Sequence, residues 1–280
     1  MKKLTVGIIG YGNMGSVMAE RMRKIRYNFK KIGVLVYDKD SRKTDEVKNV
    51  DIAKDIKDLV QRVDTVILAV KPQDFDGVLM EIKDASGIAA RQAGPPNLII
   101  SVAAGITTAY IERILGNVRV IRAMPNLPAK IGKGITGLCK GRFANKGDLD
   151  WSKKLFHELG KVLTVEEDKI NAVTAISGSG PAYVCHFLLK GLEKRHFLLE
   201  FRNAAEKIGF NRKAAAILVN TTFLGTIAFL KRTNTLPADL IKQVASKGGT
   251  TEAALAVLQS GGSLEEAILA AEKRAEELLR

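Results

Sequence analysis

Over the first 165 residues, short apolar runs rich in β-branched residues alternate with amphipathic stretches. Leu4–Ile9, Gly33–Tyr37, Val63–Val70, Leu98–Ala103 and Val118–Ala123 read as strands buried on both faces of a parallel sheet. Between the first two, Met14, Val17, Met18, Met22 and Ile25 recur at helical spacing, with Glu20, Arg21, Arg23 and Lys24 largely on the other side. Strand–helix alternation of this kind implies right-handed βαβ crossovers. It predicts an α/β fold with a doubly wound, Rossmann-type parallel sheet.

The pattern changes near Val165. Beyond it the periodicity predicts helices over Lys169–Ile208, Arg212–Lys231, Pro237–Ala245 and Thr251–Leu279. Breaks are expected at Gly178-Ser179-Gly180-Pro181, Gly209, Asn234 to Pro237, Gly248-Gly249 and Gly261-Gly262. The expected division is therefore a dinucleotide-type domain over 1–165 and an all-helical C-terminal domain over 166–280. Substrate is expected where such a second domain meets the carboxyl ends of the strands. One local repeat stands out: His186-Phe187-Leu188-Leu189 recurs ten residues on as His196-Phe197-Leu198-Leu199. A small tandem duplication accounts for it, so these histidines are not read as ligands.

Composition narrows the classes. With 46% hydrophobic and 26% charged residues over 280, the chain reads as globular, not disordered. The apolar run behind the basic start is too short for a signal core or a membrane span, so a cytoplasmic protein is expected. Cys139 and Cys185 form no metal or disulfide spacing and are read as packed, reduced thiols, and no metal is expected. The net charge of +14 arises mostly in 1–165. It is scattered, without a dense Lys/Arg stripe or interleaved aromatics, and reads as a solvated surface that attracts an anionic cofactor rather than nucleic acid.

The candidate chemistry begins at Gly10-Tyr11-Gly12-Asn13-Met14-Gly15, which follows a strand and opens a helix. Gly10 permits the tight turn, Gly12 lets backbone approach a pyrophosphate, and Gly15 allows close helix–sheet packing. The helix N-terminus would supply free N–H groups and a positive dipole end. Asp38, at the end of the second strand, stands where an acid bonds the ribose 2′-hydroxyl of NAD(H). Lys39, Ser41, Arg42 and Lys43 follow and could hold the 2′-phosphate of NADP(H) instead, so the cofactor is NADP(H) or NAD(H). Ala69-Val70-Lys71-Pro72, Ser101 to Gly105 (with Ala103 and Ala104) and Arg122 to Asn126 lie at further strand ends, where small residues and prolines suit a flat ring. Near the other end of the chain, Ser246-Lys247-Gly248-Gly249-Thr250-Thr251 precedes a clean helix. It reads either as an N-cap or as bare N–H groups that take a substrate carboxylate, with a threonine hydroxyl left for the reacting group.

Together with Ser177-Gly178-Ser179-Gly180-Pro181-Ala182-Tyr183, these segments resemble the pyrroline-5-carboxylate reductases, which reduce a cyclic imine to L-proline with NAD(P)H. The resemblance covers nearly the whole chain. It implies that Asn13, Met14, Val70, Lys71 and Ala104 line the dinucleotide, that the Thr250 and Thr251 amides hold the substrate carboxylate, and that the Thr251 hydroxyl reaches the imine nitrogen as the catalytic group. It also implies a homodimer or larger homo-oligomer built through the C-terminal helices. A protonated cyclic imine needs no His–Asp pair or metal to activate it; orientation and a dry pocket suffice. The alternatives are a β-hydroxyacid dehydrogenase, against which Val184 stands where its catalytic lysine would be, and a non-catalytic NAD(P)H-binding sensor.

Two features depart from the family pattern. Lys247 replaces a usual proline, which would loosen the loop or add a cation beside the carboxylate. From Tyr183 to Gly209 the chain runs ten residues longer than the family spacing, the length of one copy of the repeat. Ten residues turn a helix by about 1000°, so a continuous helix would emerge misoriented, and a bulged loop is expected.

Overall fold

The computed structural model describes residues 4–27, 29–45, 47, 49–85 and 98–279. Packing divides the chain into two compact units, Met1–Ala123 with Leu138–Glu158, and Met124–Gly137 with Leu159–Leu279.

The first unit opens with β1 (Thr5–Ile9) and α1 (Asn13–Met22), followed by a small antiparallel pair, β2 (Arg26–Tyr27) and β3 (Lys30–Lys31). The parallel succession resumes with β4 (Gly33–Tyr37), β5 (Asp51–Ile52), α2 (Ile56–Arg62), β6 (Thr65–Leu68), α3 (Phe75–Ala85), β7 (Leu98–Ser101), α4 (Thr108–Leu115) and β8 (Val120–Met124). The sheet order β8-β7-β6-β1-β4-β5 is, in sequence rank of these strands, the 3-2-1-4-5-6 order of a dinucleotide-binding sheet read from the other edge. The register pairs Ile8 with Val36 on one side and Ile67 on the other. Period-2 geometry turns alternate residues to opposite faces. Ile9, Leu35, Val66 and Leu68 pack with Leu59 of α2 and Leu79 of α3 in one apolar cluster. Ile8, Val36 and Ile67 are equally buried on the other face, as are Met18 and Met22 of α1.

Every expected strand is present, and most are shorter than their apolar runs. The run beginning at Val63 pairs only from Thr65, because the Asp64 carboxylate instead accepts the Thr5 amide and hydroxyl at 3.0 and 2.9 Å. Five strands fall outside the expected set: the two-residue β2, β3 and β5, and the longer β9 (Gly134–Lys140) and β10 (Gly160–Thr164), which follow β8 in the same sheet, with α5 (Lys146–His157) between them. In β9, Gly137 interrupts the β-branched pattern, and Val173 occupies the space where its side chain would be. The whole strand is buried up to Lys140.

The second unit's helices are α6 (Ile170–Val173), α7 (Gly180–Lys190), α8 (Lys194–Lys207), α9 (Arg212–Thr233), α10 (Pro237–Val244), α11 (Thr250–Gln259) and α12 (Leu264–Glu277). The break expected at Gly178–Pro181 does not occur. One π-helical turn, Thr174–Gly178, carries the backbone through, with the Ser179 amide donating to the Thr174 carbonyl at 2.9 Å. Pro181 then falls in the first turn of α7, where a missing N–H costs nothing. A break does occur within Lys169–Ile208, where the periodicity predicts a continuous helix. Gly191, in the left-handed conformation, ends α7, and Glu193 caps α8 through the Arg195 and His196 amides.

The repeat is therefore not a bulged loop. Its first copy forms the end of α7 and its second the start of α8, and the equivalent rings of Phe187 and Phe197 stack at 4.6 Å. The segments Glu167–Lys190 and Arg212–Thr233 are long and apolar enough to cross a membrane, with 78% and 44% of their apolar windows buried. The first is a core helix, whereas α9 leaves apolar side chains such as Leu224 uncovered. Cys139 and Cys185 are buried and form no disulfide among the described residues, and burial pushes the Cys185 thiol up to about 12.

Candidate active site

In the first unit, the sheet order reverses between β1 and β6, and a cleft of about 480 Å³ opens beside the carboxyl ends of β1, β4 and β6. Gly10, Gly12, Asp38, Ala69, Val70 and Lys71 line it. The three loop glycines are glycines for different reasons. Gly10 adopts φ +98, and a β-carbon there would meet the Ala69 and Val70 backbone at 2.8 Å. A β-carbon at Gly15 would run into the Gly10 carbonyl oxygen. At Gly12, φ is −80 and a β-carbon would meet nothing within 4 Å. The protein's own packing does not require the missing side chain there. Gly12 keeps open the space in front of α1, whose first-turn amides no side chain caps. That open, uncapped helix end fits a dinucleotide's pyrophosphate.

Asp38 braces this loop. Its carboxylate accepts the Tyr11 amide at 2.7 Å, the Asp40 amide at 2.9 Å and the Lys43 ammonium at 3.1 and 3.2 Å. Burial pushes its pKa up, but those two amides and the Lys43 cation outweigh burial and hold it below the ordinary value. The other candidate cations also have acidic partners, Lys39 with Asp74 and Arg42 with Asp40. Asn13, Met14, Gly15 and Pro72 lie outside the cleft lining, as do Ala103, buried in the turn after β7, and the half-buried Ala104. Ile56 and Val78 line the cleft without being legible as site residues, because only the packing of α2 and α3 brings them there, and Gln73 joins them from the short turn Pro72–Asp74 that follows β6.

In the second unit, the loop Ser246–Gly249 delivers the N-terminus of α11. Gly248 adopts φ +69, and a side chain at Gly249 would collide with the Ser246 hydroxyl. The Gly249 amide donates to the Ser246 carbonyl at 2.9 Å. The Gly248 amide donates to the Glu252 carboxylate at 2.6 Å, and Arg274 Nε donates to the Gly248 carbonyl at 2.8 Å. These bonds pin the turn on both sides of Lys247, which is exposed. Gly249 is the N-cap residue and no side chain caps α11, so neither Thr250 nor Thr251 serves as its cap.

Instead both threonine hydroxyls converge on Ser179. Thr251, 4% exposed, donates to the fully buried Ser179 hydroxyl at 2.9 Å, and Thr250 Oγ1 lies 3.0 Å from the same oxygen. Ser179 is presented by the end of the π turn. Buried Asn126 holds that turn by donating to the Ser177 carbonyl at 3.1 Å while accepting the Ile135 amide at 2.9 Å. Sequence reading placed Ser179 and Asn126 in family motifs but gave neither a role; no local signal links positions 71 residues apart. Among the described residues, no cluster of three His, Cys, Asp or Glu side chains could hold a metal.

Residues 167–278 match the family model described as pyrroline-5-carboxylate reductase dimerisation, and residues 5–105 match the model described as NADP oxidoreductase, coenzyme F420-dependent. A pyrroline-5-carboxylate reductase of Mycobacterium tuberculosis is 36% identical over 79% of this chain and 78% of its own length. The chain belongs to the pyrroline-5-carboxylate reductase family. Pyrroline-5-carboxylate reductase 2 of Bacillus subtilis is 33% identical over 96% of this chain and 91% of its own. The solved structure of the Coxiella burnetii reductase covers 100% of both chains at 33% identity, with a TM-score of 0.65. A glycerol-3-phosphate dehydrogenase of Plasmodium falciparum shares the fold at 14% identity and a TM-score of 0.57, a likeness of fold alone.

Proposed function

We propose that this member of the family reduces 1-pyrroline-5-carboxylate to L-proline with NAD(P)H. The observation that carries the reading is the buried Thr251 hydroxyl at the uncapped N-terminus of α11. It lies in the unit that matches the reductase dimerisation model. The amides of Thr250 and Thr251 take the substrate carboxylate at the positive end of the helix, the turn being held by Ser246, Gly248 and Gly249. The Thr251 hydroxyl meets the imine nitrogen. In the first unit, the first-turn amides Asn13, Met14 and Gly15 receive the pyrophosphate behind Gly10 and Gly12. Asp38 takes the ribose side, and Ala69, Val70, Lys71, Pro72, Ala103 and Ala104 follow the dinucleotide along the strand ends.

The bound dinucleotide supplies hydride to the imine carbon. The protein orients the ring and keeps the nitrogen hydrogen-bonded while the C=N double bond becomes a C–N single bond. The resulting amine takes up a proton to give the zwitterion. No group of the protein has to change charge, so positioning and preset dipoles provide the acceleration.

Purified protein mixed with pyrroline-5-carboxylate and NADPH, and separately NADH, oxidises the nucleotide only when the imine is present. Cofactor binding without imine-dependent oxidation favours the sensor reading and removes this one. Thr251→Ala lowers kcat/KM about tenfold or more, the worth of one hydrogen bond to a developing charge. Unchanged kinetics reduce Thr251 to a packing residue.

We also assign the homo-oligomer expected of a chain with this dimerisation region to contacts through the C-terminal helices, α9 foremost, because that helix leaves apolar side chains uncovered. A cytoplasmic setting suits a reaction between small soluble molecules.

A further inference from the structure

We infer that Ser179 is the positioning residue of this active site. Its hydroxyl sets the rotamer of Thr251 and ties Thr250 and Thr251 into one hydroxyl chain. The inference rests on the reductase reading above and extends it to a residue without an assigned role.

Three observations converge. First, one serine oxygen receives Thr251 at 2.9 Å and lies 3.0 Å from Thr250, while being wholly shielded from solvent. A threonine hydroxyl ordinarily turns among staggered rotamers and bonds its own helix; Thr174, Thr226 and Thr233 each donate to the carbonyl four residues back. Thr251 has no such option, because the carbonyl four residues before it belongs to the loop outside α11. Ser179 is the partner that fixes it. Second, Ser179 is delivered by a π turn, an irregularity that shifts the residues after it around the helix axis relative to a regular α-helix. Asn126 anchors the same turn through the Ser177 carbonyl. A glycine follows on the α7 side, where a side chain would press on Thr222 and Phe201. The backbone is thus built to hold the serine where it stands. Third, the buried Tyr183 phenol stands beside the same serine: burial pushes it well above its ordinary value and the Ser179 hydroxyl pulls it back, while among the described residues the phenol oxygen meets no partner in hydrogen-bonding geometry. The bonds that Ser179 makes in good geometry are those to the two threonines. A serine hydroxyl has one proton and two lone pairs, so accepting from Thr251 leaves its own proton for Thr250. The consequence is a preset Thr251 oxygen that need not be ordered when the imine arrives. The cost of its ordering is met on folding, and the benefit appears in kcat rather than in substrate capture.

The test is a double-mutant cycle on the full-length protein, with steady-state kinetics on pyrroline-5-carboxylate and saturating NADPH. Ser179→Ala is expected to lower kcat about tenfold with KM changed less than about threefold. In a Thr251→Ala background, it is expected to change kcat less than about twofold, because there is no hydroxyl left to position. Equal factors in both backgrounds, or no effect in either, overturn the assignment, since a merely structural role would act whether or not Thr251 keeps its oxygen. Should the alanine variant fail to fold, Ser179→Cys keeps a side chain there with weaker bonds and is held to the same two criteria. A wild-type protein that binds NADPH but never reduces the imine overturns the reductase reading and the assignment together. An active wild type with additive losses overturns the assignment alone.

Discussion

At the scale of single residues, two glycines of the same loop separate what the fold needs from what a ligand needs. Gly15 is required by packing, since the Gly10 carbonyl fills the place of its β-carbon. Gly15→Ala is expected to cost about 1–3 kcal/mol by overpacking, read as a lower denaturant midpoint. Gly12 has open space and an ordinary φ. Gly12→Ala is expected to keep the midpoint within about 0.5 kcal/mol while raising the Kd for NADPH about tenfold or more by crowding the pyrophosphate. A Gly12→Ala protein that binds the dinucleotide normally removes it from that site. Asp38 makes a prediction about acid. Its pKa is depressed in the fold, so its stabilisation is present above the unfolded-chain value and lost as pH falls through the lower folded one. The gap in unfolding free energy between wild type and Asp38→Asn should hold steady above about pH 5 and close below about pH 4. A gap independent of pH down to the acid transition contradicts the brace.

At the scale of elements, the duplicated segment illustrates how a ten-residue length change is absorbed. A uniform helix would rotate every later residue, but Gly191 and the Glu193 cap end one helix and start another. The duplication supplies both sides of the resulting corner, with Phe197 stacked on its counterpart Phe187 and in contact with Phe201 and Phe223. Phe197→Ala is expected to destabilise by about 3–5 kcal/mol, measured by chemical denaturation, because it empties the middle of that aromatic cluster. A loss under about 1 kcal/mol would mean the second copy decorates the fold without supporting it. The π turn belongs to the same scale. Gly178 and Pro181 read as a helix break, whereas one wider turn keeps the backbone helical and delivers Ser179.

At the scale of the whole molecule, the question is what covers α9. Its sequence is apolar on more sides than one chain buries, with 44% of the apolar window covered and Leu224 62% exposed. Such a helix is buried in a larger assembly or solvates poorly. Light scattering coupled to size exclusion is expected to give at least twice the 30.4 kDa chain mass, and Leu224→Lys is expected to shift the population toward smaller species. A monodisperse monomer for the wild type would contradict assembly through this helix.

The sequence by itself determined the parallel strands, the glycine loop and the helical character of the C-terminal region, because each is written in local periodicity and local turn chemistry. The strand limits Thr5–Ile9 and Gly33–Tyr37 follow apolar runs that only a sheet interior can accommodate. Motif likeness further named the Thr250–Thr251 helix start. Tertiary structure alone decided β9, whose glycine is explained by a packed Val173. It also decided the fate of the repeat, since whether a glycine ends a helix depends on what the next segment packs against. Above all it brought Ser179 to the two threonines. Hydrogen bonds across 71 residues leave no mark in any sequence window, and only the π turn and its Asn126 anchor put the three hydroxyls together.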